Sequence, residues 1–212
     1  MPTAGRAQRA ALGFSVHTGW AILVAVAGPA ASAAVIDRRR IEMMPHRDAK
    51  RPRFVYHAAQ KLPRAAAERL VRESTEMSWK NATAAIRAAV EELRTTGYDV
   101  VANGIIVGNK RLEAALDTIL ESHALIHTAE GQLFRDAIGR ASEALAIPVT
   151  EVGAKELEPR AAKALRLSDA GLTAHVARIG SAAGKPWSKD HRQACLAAEL
   201  AFNSARARAT RS

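Results

Sequence analysis

The sequence predicts an α/β domain on a mixed five-stranded sheet, in which an antiparallel meander is continued by parallel strands and flanked by helices. Three observations carry this reading. Two short apolar runs meet at Thr18-Gly19, a near-continuous apolar run occupies Val100 to Val107, and a long stretch with helical periodicity lies between them. At 212 residues the chain can bury one substantial core, and nothing in it demands two.

Leu12 to Val16 and Trp20 to Val26 read as the two strands of a hairpin, the second rich in β-branched residues. Gly28-Pro29-Ala30-Ala31-Ser32 punctuates the chain, and Ala34 to Met43 supplies a third strand. Met44 to Pro63, with Pro45, Pro52 and Pro63 spread through it, predicts an irregular crossing that ends where proline suits a first helical turn. From Arg64 to Thr95, the positions Ala67, Leu70, Val71, Met77, Ile86, Val90 and Leu93 mark one amphipathic helix, with Ser74 and Ser78 as the place for a bend and Gly97 as its stop.

Tyr98 to Gly108 is a fourth strand, apolar enough in its second half to be covered on both faces. Leu116 to Leu145 then reads as a second long helix, Ile147 to Val152 as a fifth strand, and Glu156 to Leu167 and Asp169 to Ala183 as shorter helices. Ser188 caps a last helix from Lys189 to Ala205. The resulting division is a basic N-terminal tail at 1–10, one domain at 11–204 and a basic C-terminal tail at 205–212.

Thirty-one Lys and Arg against 21 Asp and Glu give a formal charge of +10. The excess concentrates at Arg6 and Arg9, at Arg206, Arg208 and Arg211, and in the run from Arg38 to Arg53. Such clusters attract polyanions through counterion release, so DNA or RNA is the natural partner, and Arg38, Arg39, Arg40, Arg51 and Arg53 are the candidate contacts. The competing reading is a solvated basic surface. The alanine-rich helices suggest a second copy of the chain as an alternative partner, in a homodimer. The single cysteine, Cys195, allows no internal disulfide and sits among alanines as a small buried hydrophobe would.

Arg6, Arg9, the apolar run through Val26 and Ala31-Ser32-Ala33 can be scanned as a secretory signal. Ser15, His17, Thr18 and Gly19 interrupt its apolar core, however, and its removal would take the hairpin out of the sheet. The chain is therefore read as cytoplasmic. No other stretch approaches the ~18 to 20 apolar residues a membrane span requires, so a membrane is not among the expected partners.

Gly13-Phe14-Ser15 followed by Thr18-Gly19-Trp20 is similar to the pattern of glycine, apolar residue and aspartate, then threonine, glycine and aromatic, that opens the RuvC-type Holliday-junction resolvases. Glu130 to Ala141 with Ala146 to Val152, and Asp190 to Ala197, resemble later helix and strand segments of the same nucleases. The resemblance implies an RNase H-like fold. It also implies two divalent cations held between four carboxylates, which stabilise the attacking and leaving oxygens. The matching positions here are unfavourable: Ser15 replaces the first aspartate, Val100 to Val107 contains no acid where a glutamate belongs, and Gln193 replaces the last aspartate. Asp190 alone matches, and a lone acid beside Ser188 also serves as a favourable charge at a helix N-terminus.

A substitute constellation lies at His123, His127 and Glu130, which at i, i+4 and i+7 share a helical face. Two imidazoles and a carboxylate suit one divalent cation, Zn, Mn or Mg, with positions open for water. The same residues also suit a polar groove without metal. His17, beside the hairpin turn, is a candidate ligand or proton carrier in the cleft, so Asp190, His17 and Glu130 form the candidate catalytic set. Asn103 and Asn109 flank the fourth strand, and Tyr56-His57 sits in the crossing, where packing explains it. Trp187 is placed either to stack on a base or to staple the last helix.

No phosphate-binding glycine loop, G-x-S-x-G elbow or C-x-x-C pair is present. The functional expectation is an RNase H-like protein with a nucleic-acid-associated role that has lost standard two-metal hydrolysis. The alternatives are a phosphodiesterase using the His/Glu set and a non-enzymatic, homo-oligomeric interaction module.

Overall fold

The computed structural model describes residues 7–29, 32–45, 52–108 and 111–210. Strands β1 (Gln8–His17), β2 (Trp20–Ala27), β3 (Ala34–Glu42), β4 (Tyr98–Val107) and β5 (Val149–Gly153) form one sheet in the order β3-β2-β1-β4-β5. The β1/β2 and β2/β3 pairs are antiparallel, while β1/β4 and β4/β5 are parallel, which is the expected wiring. The central strand begins earlier than the apolar run suggested. Gln8, Arg9 and Ala10 pair with Tyr98, Asp99 and Val100, so they belong to the sheet rather than to a tail.

The helices are α1 (Val55–Ala59), α2 (Arg64–Thr95), α3 (Leu116–Leu120), α4 (His123–Ala144), α5 (Leu157–Leu165), α6 (Asp169–Ala183) and α7 (Lys189–Ala209). Helix α2 runs unbroken with Ser74 and Ser78 buried inside it. At the C-terminus, residues 205–209 are the last turns of α7, which moves the end of the folded unit beyond the expected 204. The single helix expected from Leu116 to Leu145 is two. Ser122 adopts an extended conformation and its Oγ accepts a hydrogen bond from the Leu125 amide at 3.4 Å, which restarts the helix at His123. Asn103 is buried in β4 and donates its side-chain amide to Ser142 Oγ at 2.8 Å, fastening α4 to the sheet; Asn109 lies outside the described residues.

Alternation along β1 sends Leu12 and Phe14 to one face, where they join Leu23, Ile86, Phe134 and Ile138 under α2 and α4. The opposite face receives α7, which packs Ala194, Cys195 and Ala198 on Ile22 and Val24, and Ala201 on Ala11 and Ala102. Helices α5 and α6 close over the outer side of α7 through Leu157, Leu172, Leu196 and Leu200.

Two glycines set the approach of α7. A methyl group on Gly13 would lie 1.9 Å from the Ala194 carbonyl oxygen, and one on Gly104 would lie 2.0 Å from that of Ala197. Backbone therefore rests on backbone, which the alanine-rich stretch of α7 permits. This seating carries the first turn of α7, with Asp190, over the carboxyl end of β1.

Candidate functional site

Ser15, His17 and Asp190 meet on the α7 side of the sheet. Ser15 is buried and donates its hydroxyl to Asp190 Oδ1 at 3.3 Å. His17 Nε2 stands 3.0 Å from the same oxygen without the alignment of an N–H···O hydrogen bond. Across the hairpin, the His17 ring stacks on Trp20 with centroids 4.1 Å apart and planes 10° from parallel. The Arg40 guanidinium lies 3.8 Å from the centre of the same indole and reaches Glu42 at 2.6 Å.

The remaining positions of the expected cation cage are apolar or face elsewhere. Next after the Phe14/Ile105 pair on β4 comes Ile106, which packs against the apolar cluster that includes Leu196 and Leu200. Asp99 is at the other end of β4, opposite Arg9. Gln193 turns outward into a groove with Leu172, Val176 and Leu196 between α6 and α7. A pair of divalent cations needs bridging carboxylates, whereas the cluster of Ser15, His17 and Asp190 offers a single carboxylate, which accepts from the Ser15 hydroxyl and has the His17 imidazole 3.0 Å away. The donor set does not fit two metals.

The second cluster forms between α1 and α4, on the opposite side of the sheet. The expected face of His123, His127 and Glu130 is divided by burial. His123 and His127 are exposed, with their Nε2 atoms 3.0 Å apart. Glu130 is 3% exposed and turns inward to the start of α1, where it accepts from the amides of Val55 at 3.1 Å, Tyr56 at 2.8 Å and His57 at 3.2 Å. These are amides that a helix cannot satisfy internally, and a carboxylate there also meets the positive end of the helix dipole. Burial pushes the Glu130 carboxyl above its ordinary range, while the hydrogen bonds from His57, Tyr56 and Val55 draw it back. Glu130 therefore belongs to the cap of α1 and not to the imidazole pair.

Its place beside the imidazoles is taken by His57, a residue of the crossing segment where packing is the expectation from sequence. The His57 ring lies 4.9 Å from that of His127 and 5.6 Å from that of His123, and its Nδ1 is 3.3 Å from Glu130 Oε1. Each of the three histidines presents a ring nitrogen within 4.8 Å of the others.

The candidate nucleic-acid contacts are largely engaged within the fold. Arg38 donates to the carbonyls of Gly184 at 2.7 Å and Lys185 at 2.9 Å, holding the loop before α7. Arg39 bridges Asp37 and Glu92, and the bond to Glu92 raises its already high pKa. Arg53 pairs with Glu42, reaches the Met44 carbonyl and lays its aliphatic stem against Gly19; Arg51 lies outside the described residues. Trp187 packs its indole on Gly180 of α6, where an added methyl would meet Nε1 at 2.3 Å, and stands 6.0 Å from the His191 ring. That is the geometry of a staple for α7.

No known family profile and no curated protein matches this sequence. Solved structures do match in architecture. Thermus thermophilus RuvC in complex with Holliday junction substrate superposes with a TM-score of 0.54 at 11% identity, covering 94% of this chain and 96% of that one. A second Thermus thermophilus RuvC structure gives a TM-score of 0.54 at 13% identity, over 93% of this chain and 96% of its own. The chain thus has the RNase H-like fold, shared with RuvC over nearly the whole of both chains.

Proposed function

We propose that this RNase H-like protein has a nucleic-acid-associated role and does not carry out two-metal phosphodiester hydrolysis. The observation that carries the proposal is the cluster around Asp190, where one carboxylate oxygen accepts from Ser15 and lies 3.0 Å from His17 Nε2, and the neighbouring β4 position is Ile106. Without bridging acids, neither the nucleophile nor the leaving oxygen has its cation. The solved RuvC complex with a Holliday junction, together with the +10 charge of this chain, supports nucleic acid as the ligand.

Since Arg38, Arg39 and Arg53 are engaged with acceptors, the attraction comes from the summed field of the basic surface more than from those side chains. Binding should then tolerate sequence and respond steeply to salt. The test is fluorescence anisotropy with labelled four-way junctions, duplex DNA and single-stranded RNA across a range of salt. The proposal expects binding at low salt that weakens as salt rises; absence of binding to every probe at low salt contradicts it.

A further inference from the structure

We propose that His57, His123 and His127 form a site for one zinc-like divalent transition metal, and that the bound ion clamps α1 to the first turns of α4. This stands apart from the nucleic-acid reading, because it uses other residues on the other side of the sheet.

The donor geometry is close to what a metal demands. Zinc bonds imidazole nitrogen at ~2.0 to 2.1 Å, so two nitrogens on a tetrahedral ion stand about 3.3 Å apart. His123 Nε2 and His127 Nε2 are already 3.0 Å apart, and small rotamer adjustments bring in the third nitrogen from within 4.8 Å. The i, i+4 spacing on α4 supplies two ligands from one rigid element, and the break at Ser122 leaves both in its first turns, exposed to an incoming ion.

Glu130 supplies the support that such a site needs. Its Oε1 lies 3.3 Å from His57 Nδ1, so with Nδ1 held by the carboxylate it is Nε2 that would ligate the ion. A carboxylate behind a ligating histidine fixes the ring and raises its basicity. The same carboxylate caps α1, so the ring and the helix that carries it are held by one group. Three neutral nitrogen ligands and no first-contact carboxylate select a borderline metal such as zinc or cobalt over magnesium, and leave a fourth position for water.

The experiment uses full-length, tag-free, metal-stripped protein titrated separately with Zn²⁺, Co²⁺ and Mg²⁺ by calorimetry, with visible absorption for cobalt. One equivalent of zinc, a tetrahedral cobalt spectrum and no comparable magnesium binding are expected. Zinc should also slow amide exchange across Val55 to Ala59. Because His123 and His127 are exposed, the double variant His123→Ala/His127→Ala should fold normally and lose zinc affinity by 100-fold or more. Glu130→Gln should weaken zinc by about 10- to 100-fold and alter the cobalt spectrum, as expected of a positioning residue. Failure to bind zinc, zinc binding retained by the double variant, or zinc binding that leaves α1 exchange unchanged would each overturn the proposal.

Discussion

Glu130 meets His57 twice, at the backbone amide 3.2 Å away and at ring Nδ1 3.3 Å away, so one buried carboxylate fixes both the start of α1 and the orientation of its imidazole. Removing that carboxylate strands three amides at the start of a five-residue helix that cannot sustain itself. Glu130→Ala should therefore cost about 2 to 4 kcal/mol in chemical denaturation, and Glu130→Gln, which keeps an acceptor, clearly less. Equal losses in the two variants would mean that volume, not the cap, is what Glu130 supplies.

The seating of α7 makes opposite predictions for different glycines. Gly13→Ala and Gly104→Ala drive a methyl into carbonyl oxygens at 1.9 and 2.0 Å, and backbone on both sides leaves little room to yield. Each should cost about 3 kcal/mol or more, or prevent folding. Gly139, inside α4 with open space around its Cβ position, should gain about 0.5 to 1 kcal/mol on replacement by alanine. Thermal denaturation of the three variants checks the contrast.

Acid sensitivity should follow in part from His191. Its ring is held below the ordinary histidine value by burial and then by Arg38, with Asp190 opposing, and its Nδ1 accepts from the Ser188 amide at 3.2 Å. The folded state thus favours the neutral ring. Its contribution is fully present above the unfolded pKa of about 6.5 and is lost as pH falls through the lower folded value. Stability measured between pH 7.5 and 5 should decline less steeply in His191→Gln than in the parent; parallel curves would remove His191 from the account.

Periodicity and turn residues revealed the sheet because its signals are local. Thr18-Gly19 marks the hairpin, and the apolar run in β4 reports a strand covered on both faces. The seating of α7 was less visible, since the use of Gly13 and Gly104 depends on the helix that crosses them. Ser122 broke the expected long helix through a side-chain cap that helical periodicity does not register. The role of Glu130 was hidden for a different reason: its partners are backbone amides more than 70 positions earlier, and amides leave no mark on residue identity. His57 was missed with it. That Ser15 and Gln193 are not acids was plain from the residues, whereas the contact of His17 with Asp190 needed the fold to bring β1 and α7 together.

Whether the Asp190 cluster supports hydrolysis is decided by incubating the protein with four-way junctions and single-stranded DNA in the presence of Mg²⁺ or Mn²⁺, alongside Asp190→Asn. No metal-dependent cleavage by either protein is predicted. Cleavage by the parent that disappears in Asp190→Asn would show instead that the Asp190 cluster supports cation-assisted hydrolysis.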